Sequence, residues 1–347
     1  MSGATIRELT PEREGAWQAY VLAHPHGTLF HDLAWRHMLR KTFRHRCCYL
    51  MAEQDGQIRG VLPLVIIRSI FFGTSVVSVP FGVYGGVLAD DAASTVALCD
   101  AATEAAADAG AAYVELRHLH LPPACDLPES GLHCTFIKDL PNTVEEVLPS
   151  IPRKARAEVR KARTAGVLTV NTKPVTIPEF HSLFAENKRK LGSPIFPKSM
   201  FWNLHEALPG RVHTMAVEKD GRAIAVLMSF LWRDTFMAYY SGADDTANAS
   251  SANNLLYAAA MEEAVRLGAK TFDFGRSRRD TGPYAFKVNQ GFEPLPLHYQ
   301  FVTKRGARLP SINASNPRYD FAKKLFRSLP MMAAEKLGSF VAKRMPV

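Results

Sequence analysis

The chain has 347 residues, 47% apolar and 22% charged, which is enough to bury two cores and too apolar for a disordered chain. Lys and Arg number 42 against 33 acidic residues, a formal charge of +9. That balance favours an anionic partner such as nucleic acid, a nucleotide-sugar, a phospholipid surface or a polyanionic glycan, and does not choose among them.

The start, MSGATIRELTPEREG, lacks the basic-then-apolar layout of a secretory signal, and the longest apolar run, residues 61–67, is far too short to span a bilayer. Cys47, Cys48, Cys99, Cys125 and Cys134 are odd in number and show no paired metal spacing. They are expected to be reduced thiols in a cytoplasmic protein. His118 and His120 alternate after a strand but lack a carboxylate partner, so no metal is expected.

In chain order, residues 35–41 carry a helical pattern. Residues 48–53 and 58–67 read as a hairpin closed by Gln54-Asp55-Gly56-Gln57. Residues 71–79 continue as an apolar strand until Pro80-Phe81-Gly82 and Gly85-Gly86 break it. Residues 92–110 are Ala-rich and helical, with Gly110 as the stop. Residues 113–117, YVELR, form a strand in which Glu115 and Arg117 share a face, as a buried ion pair would.

Residues 151–166, IPRKARAEVRKARTAG, form a helix opened by Pro152 and ended by Gly166. Arg153, Arg156, Arg160 and Arg163 lie on one stripe, while Ala155, Val159 and Ala162 lie on another. Glu158 is the one acid here, so i,i+4 pairs do not account for the stripe. Such a stripe is either a solvated face or a contact for an anion, with Arg156 and Arg160 as binding candidates.

The second half repeats the order of the first. Residues 180–190 are helical, 212–218 and 223–232 form a hairpin around Lys219-Asp220-Gly221-Arg222, and 235–241 form a third strand. Residues 254–267 are a helix ended by Gly268, and 271–274 are a strand ended by Gly275. The recurrence predicts a duplicated unit. Tyr239 and Tyr240 should point to opposite faces of their strand.

Next comes FDFGRSRRDTGPYAFKVNQGFEPLPLHYQF, residues 272–301. Ordinary packing does not require Arg276, Arg278, Arg279 and Lys287 around glycines and a Pro; a site for an anionic group and an acyl carbonyl does. Asp273 is a candidate base, or a structural partner of Arg276. Tyr284 could supply a hydroxyl. Lys287 could equally be an edge-strand lysine that snorkels past Phe286. From residue 316 a basic amphipathic pair of helical stripes closes the chain, suited either to docking or to an anionic membrane surface.

The pattern Y/F-x-F-G … G-x-Y-x-F-K … G-F resembles the FemAB family of aminoacyl- and acyltransferases, closest to the branch found with PEP-CTERM/exosortase and exopolysaccharide loci. Arg156, Val159, Arg160, Lys161, Ala162, Gly166 and Val167 match that family's R-x-x-I-R-K-A-x-x-x-G-V, with Val159 for the usual Ile. Phe81-Gly82-Val83-Tyr84-Gly85-Gly86 resembles its P-F-x-x-Y-G-G segment, whose glycines would permit φ > 0 and close ligand approach.

The resemblance implies an α/β fold with mixed sheets: two tandem GNAT-like acyl-CoA N-acyltransferase domains, here 1–147 and 148–305. Residues 306–347 would then dock back on the first domain. It also implies attack of an amine on an activated acyl ester. Lys287 would hold the donor phosphate or oxyanion, with Tyr284 and Asp273 beside it; Arg276, Tyr240, Arg156, Arg160 and Tyr84 would bind substrate.

No cofactor is implied beyond an acyl donor used as co-substrate, aminoacyl-tRNA or acyl-CoA or an acyl carrier. The acceptor would be an amine of an envelope precursor, glycan or peptide, met in the cytoplasm or peripherally at the inner membrane. Segment 244–250, DDTANAS, lacks the R/Q-x-x-G-x-G/A loop that would cradle a CoA pyrophosphate. The rivals are a CoA- or carrier-protein-dependent N-acyltransferase on the same fold, and a non-catalytic nucleic-acid- or glycan-binding protein.

Overall fold

The computed structural model describes residues 4–70, 73–164, 168–171, 173–303 and 317–345, with the backbone alone at 248 and 317–322. Gly166, Val167 and residues 306–316 lie outside this range. The chain divides into two compact units. One holds the residues up to His133 and takes back the strand after Pro296; the other holds Cys134–Leu295 and most of the C-terminal helices.

The first unit runs β1 (Thr5–Glu8), α1 (Glu14–Ala23), α2 (Leu33–Phe43), β2 (Arg46–Gln54), β3 (Gln57–Ser69), β4 (Gly73–Val77), β5 (Leu88–Ala89), α3 (Ala92–Asp108), β6 (Tyr113–His118) and β7 (Glu129–Ser130). The Asp55-Gly56 turn closes the β2–β3 hairpin with both residues at positive φ, the left-handed conformation that tight hairpins favour. Asp91 caps α3 through the Ser94 N–H at 2.7 Å, and Gly110, φ 63°, follows its end. Leu98, Ala102 and Ala106 of α3 pack on Leu50, Leu62, Leu64 and Val114 of the sheet.

The second unit opens with β8 (His133–Asp139), α4 (Val144–Ser150), α5 (Arg153–Thr164), β9 (Leu168–Val170), α6 (Ile177–Leu191) and α7 (Lys198–Ala207). It continues with β10 (Val212–Lys219), β11 (Arg222–Trp232), β12 (Thr235–Ala243), α8 (Asp245–Ala249), α9 (Ala252–Arg266), β13 (Thr271–Asp273), β14 (Ser277–Arg278), α10 (Gly282–Asn289) and β15 (Pro294–Pro296). The chain then supplies β16 (His298–Thr303), α11 (Pro317–Ser328) and α12 (Met331–Ala342). Ala155, Val159 and Ala162 of α5 join the core formed with Leu255, Leu256 and Ala260 of α9, so the apolar face read from the sequence is the packed one.

Both sheets follow one plan. Strands β1 to β4, and β9 to β12, pair antiparallel in turn. A parallel step comes next, β4 beside β6 and β12 beside β13, with α3 or α9 in the connection. An antiparallel strand follows in each sheet, β16 beside β6 and β8 beside β13, with the two-residue strands β7 and β14 at the edges beyond them. Strands β16 and β8 come from outside their own half of the sequence. The sequence reading placed its boundaries after 147 and 305 and recognised neither as a strand. Both are short apolar runs whose pairing is set by distant partners rather than by a local turn.

The C-terminal helices, expected on the first domain, pack instead against α6 of the second unit. Arg189 Nη1 donates to the Arg327 carbonyl at 2.9 Å, and Ala334 is buried with Ala185 and Ile195. Gly338 permits this approach, because a Cβ there would lie 2.5 Å from the Ile195 nitrogen. Phe326, Leu329 and Met331 pack around this contact, so the apolar stripes read from the sequence do dock, on α6.

Candidate active site

In the second unit, β12 and β13 run parallel for three paired residues, Thr235↔Thr271, Phe236↔Phe272 and Met237↔Asp273, and then part. After Asp273 the chain turns toward β8: the Phe274 N–H donates to the Phe136 carbonyl at 2.9 Å. Gly275, φ 69°, makes that turn. Strand β12 continues to Ala243, so its residues beyond Met237 lose their parallel neighbour. Diverging strands at their carboxyl ends leave the crevice in which open α/β sheets bind ligands.

A bulge shapes the β12 side of this crevice. Met228 pairs with Tyr240 and Ser229 with Ala238, so Tyr239 is the extra residue. The expected alternation therefore fails: the Tyr239 and Tyr240 rings lie 4.6 Å apart and both contact Phe230. Tyr240 is buried, edge-on to Phe184, Phe196 and Phe201. Burial holds its phenol protonated well above the usual range, so it can donate a hydrogen bond but is no base at neutral pH. The Gly275 position faces Tyr239 Cδ2 at 4.0 Å.

Lys287 closes the site from below. It sits on helix α10, opened by Pro283 in its first turn, and not on an edge strand. Its side chain is 8% exposed, and Nζ donates to the carbonyls of Gly275 at 2.8 Å and Arg276 at 3.2 Å. The ammonium also lies 5.4 Å from the Phe136 ring and 5.6 Å from Phe274. Desolvation pulls its pKa down to about 8, against the opposing pull of Asp273. Asp273 is buried and already engaged, accepting from the Gly275 N–H at 2.7 Å and the Thr135 hydroxyl at 3.4 Å. That suits a carboxylate that shapes the turn. Tyr284 is half-buried one turn before Lys287, edge-on to Phe136 at 5.4 Å. Arg276, half-buried, acts electrostatically on Lys287, Tyr240 and Lys188.

Residues 150–288 match the acetyltransferase (GNAT) domain family. Among solved structures, the chain resembles that of FemX at 15% identity and TM-score 0.64, covering 92% of this chain and 100% of that one. A tandem GNAT protein from the clavulanic acid biosynthesis pathway aligns at 14% identity and TM-score 0.58, over 88% of this chain and all (100%) of that one. L-PGS from Bacillus licheniformis aligns at 12% identity and TM-score 0.53, over 93% and 99%. No curated protein matches the sequence. The fold is a tandem of two GNAT-like domains.

The first GNAT-like domain fills its own version of the crevice. Where β4 parts from β6, the 79–87 segment turns in, and Arg117, 2% exposed, donates to the carbonyls of Val79 at 3.1 Å and Gly82 at 2.8 Å. Arg117 also pairs with buried Glu115 at 2.8 Å, the ion pair read from YVELR. The glycines here make room for neighbouring side chains. A Cβ on Gly85 would lie 2.3 Å from Val79 Cγ1, and one on Gly86 would lie 2.1 Å from His118 Cδ2. Positive φ falls on Phe81, at 62°, rather than on these glycines. Tyr84 is buried in this domain, with its carbonyl accepting from the Thr28 hydroxyl.

Two arginines of the stripe have partners within the fold. Arg156 donates to the Pro149 carbonyl at 3.2 Å, and Arg163 pairs with Glu262 of α9 at 2.6 Å, a partner that spacing within one helix could not reveal. Arg160 is exposed. The short helix α8 has Asp244 at its N-terminus, accepting from the Ala247 N–H at 3.0 Å and paired with Arg222 at 2.7 Å. Carboxylate thus stands at that helix start. Among the described residues no group of three or more His, Cys, Asp or Glu is arranged to hold a metal. Lys188 is the neighbour that sequence reasoning missed; its one signal was membership of a run of cations at the end of α6.

Proposed function

We propose that this protein transfers an acyl or aminoacyl group from an activated ester or thioester to an amine, with the reacting carbonyl in the crevice between β12 and β13. The observation that carries the reading is the early parting of these strands, with Lys287 buried beneath the turn and Arg276 beside it. Backbone N–H groups of β12 beyond the last paired residue are suited to the carbonyl oxygen, and the two cations favour the negative charge of the tetrahedral intermediate. The amine attacks, the amide bond forms, and the alkoxide or thiolate of the donor leaves. Asp273 is engaged with Gly275 and Thr135, so the amine proton is assigned to the leaving group or to water. Tyr240 and Tyr284 orient the substrate.

Motif resemblance favours an amine of an envelope precursor or exopolysaccharide as acceptor. The carboxylate at the α8 N-terminus disfavours a bound pyrophosphate there, and so favours aminoacyl-tRNA or a carrier-linked donor over ordinary acyl-CoA. In this reading buried Tyr84 and carbonyl-bonded Arg156 serve the fold, and exposed Arg160 has no part in the reaction. Peripheral contact with an anionic bilayer also belongs to it. Met332, 78% exposed, stands with Leu337, Phe340 and Leu325 among Lys324, Arg327 and Lys336 on exposed parts of α11 and α12, and no described helix is long and apolar enough to cross a membrane.

Incubation of the purified chain with glucosamine and either aminoacyl-tRNA or acyl-CoA, followed by mass spectrometry for the amide, tests the reading. Amide formed by the wild-type protein and lost in Lys287→Met supports it. Full cellular function with Lys287 replaced points instead to a non-catalytic binding protein.

A further inference from the structure

Beyond the point where β13 leaves it, β12 presents neighbouring residues to opposite sides. Gly242 faces α6: a Cβ there would come within 2.7 Å of Phe184 Cα. Ser241 faces the other way, toward α9, where the Tyr257 hydroxyl donates to Ser241 Oγ at 3.2 Å. The Tyr257 ring lies 4.6 Å from that of Phe274, the residue after β13. It lies 5.6 Å from the ring of Phe286, the neighbour of Lys287. One tyrosine thus bridges the parted strands, its hydroxyl on β12 and its ring on the chain that leaves β13.

Ser241 Oγ accepts the Tyr257 proton, so its own proton points elsewhere. Ser241 is exposed, and among the described residues Tyr257 is the one hydrogen-bond partner of its hydroxyl. A serine polarised by a phenol therefore stands at the carboxyl end of β12 with a proton to give. Packing does not ask for it: two rings already hold Tyr257, and an exposed serine adds nothing to the core. Burial pushes the phenol above its ordinary range, and the bond with Ser241 opposes that shift. The same serine can thus stabilise the phenolate that proton donation would leave behind.

We propose that Ser241 gives its proton to the departing atom of the acyl donor and takes another from Tyr257. The inference rests on the transferase reading and assigns the proton path that reading leaves open. The amine attacks and the C–N bond forms. As the bond from the carbonyl carbon to the leaving oxygen breaks, that oxygen takes the Ser241 proton and Ser241 takes the Tyr257 proton. The proton on the new amide nitrogen then returns through solvent to the phenolate, which restores the pair. Ser241 is the catalytic residue here, and Tyr257 is a positioning residue that acts through it. The relay matters most for an oxygen leaving group. A thiol titrates at about 8.5, so a thiolate departs unaided, whereas an alkoxide is far more basic and needs the proton as it leaves.

Amide formation on glucosamine by the full-length chain tests it, with an aminoacyl-tRNA and with the same aminoacyl group as a pantetheine thioester. Wild type is compared with Ser241→Ala and Tyr257→Phe, and chemical denaturation reports that each variant folds. Both changes leave the rings on Phe274 and Phe286 in place. With the oxygen ester each variant should lose about a hundredfold in kcat, with KM unchanged, and with the thioester under about threefold. Equal losses with both donors, losses in KM alone, or wild-type ester turnover by a folded Ser241→Ala protein overturn the proposal. So does a wild type that uses the thioester alone. The two readings fail separately. Amide formation indifferent to both substitutions removes the relay and leaves the transferase, whereas a wild type that forms no amide with either donor removes the reaction itself.

Discussion

Lys287 donates across 2.8 Å to the carbonyl of Gly275 and so ties α10 to the turn that presents Arg276. The ammonium is desolvated by Phe136 and Phe274 yet satisfied by two carbonyls, which makes it part of the fold as well as a charge beneath the crevice. Substitution should reveal both roles.

Lys287→Met keeps the packing volume but leaves two carbonyls without their donor. The expected cost is about 1–3 kcal/mol in chemical denaturation. Lys287→Arg should not restore stability, because a planar guanidinium does not fit a site framed by two rings and two carbonyls. Equal denaturation midpoints for wild type and Lys287→Met would show that these hydrogen bonds do not hold the turn.

The same lysine predicts a pH dependence. Its folded pKa, about 8, lies below the ordinary value of 10.5. Between those values the unfolded chain binds the proton and the folded chain does not, so this group makes wild-type stability rise with pH through that window. Lys287→Met lacks the effect. Its deficit relative to wild type should therefore widen from pH 8 to 10.5, by about 2–3 kcal/mol. A deficit constant with pH would mean that Lys287 titrates normally.

Much of this fold was legible because its signals are local. The Asp55-Gly56 and Asp220-Gly221 turns, the glycines after α3 and α9, and the Ala-rich helix all act within a few residues. Strands β8 and β16 were not legible, since the partners of Phe272 and Phe301 lie far away in sequence. In the site, Lys287 and Arg276 could be named from the clustering of cations and glycines. The Tyr239 bulge could not, because the YYSG sequence alternates as any strand does and only the pairing with Met228 and Ser229 breaks it. In the Arg153–Arg163 stripe, the role of Arg163 was hidden for a related reason: Glu262, its partner, belongs to a different helix.

Gly242→Ala should separate helix packing from turn chemistry. The added methyl meets backbone, Phe184 Cα at 2.7 Å and N at 2.8 Å, so α6 must move rather than a side chain rotate. A loss of about 1–3 kcal/mol is expected, with a changed environment for Lys188 visible by NMR. An unchanged Lys188 signal would contradict the placement of α6 on β12.

Arg117 and Arg163 should differ sharply although both are ion-paired. Arg117→Met strands a buried Glu115 and should cost about 3–5 kcal/mol. Arg163→Ala breaks a pair whose arginine is 40% exposed and should cost under about 1 kcal/mol. Comparable losses would refute the assignment of the first-domain crevice as a sealed structural element.

The most direct measurement compares amide formation by wild type, Arg276→Met and Arg160→Met under one donor and one acceptor. Chemistry at the parting of β12 and β13 predicts a loss of about a hundredfold for Arg276→Met, with Arg160→Met close to wild type. Wild-type turnover by a folded Arg276→Met protein would place the chemistry elsewhere.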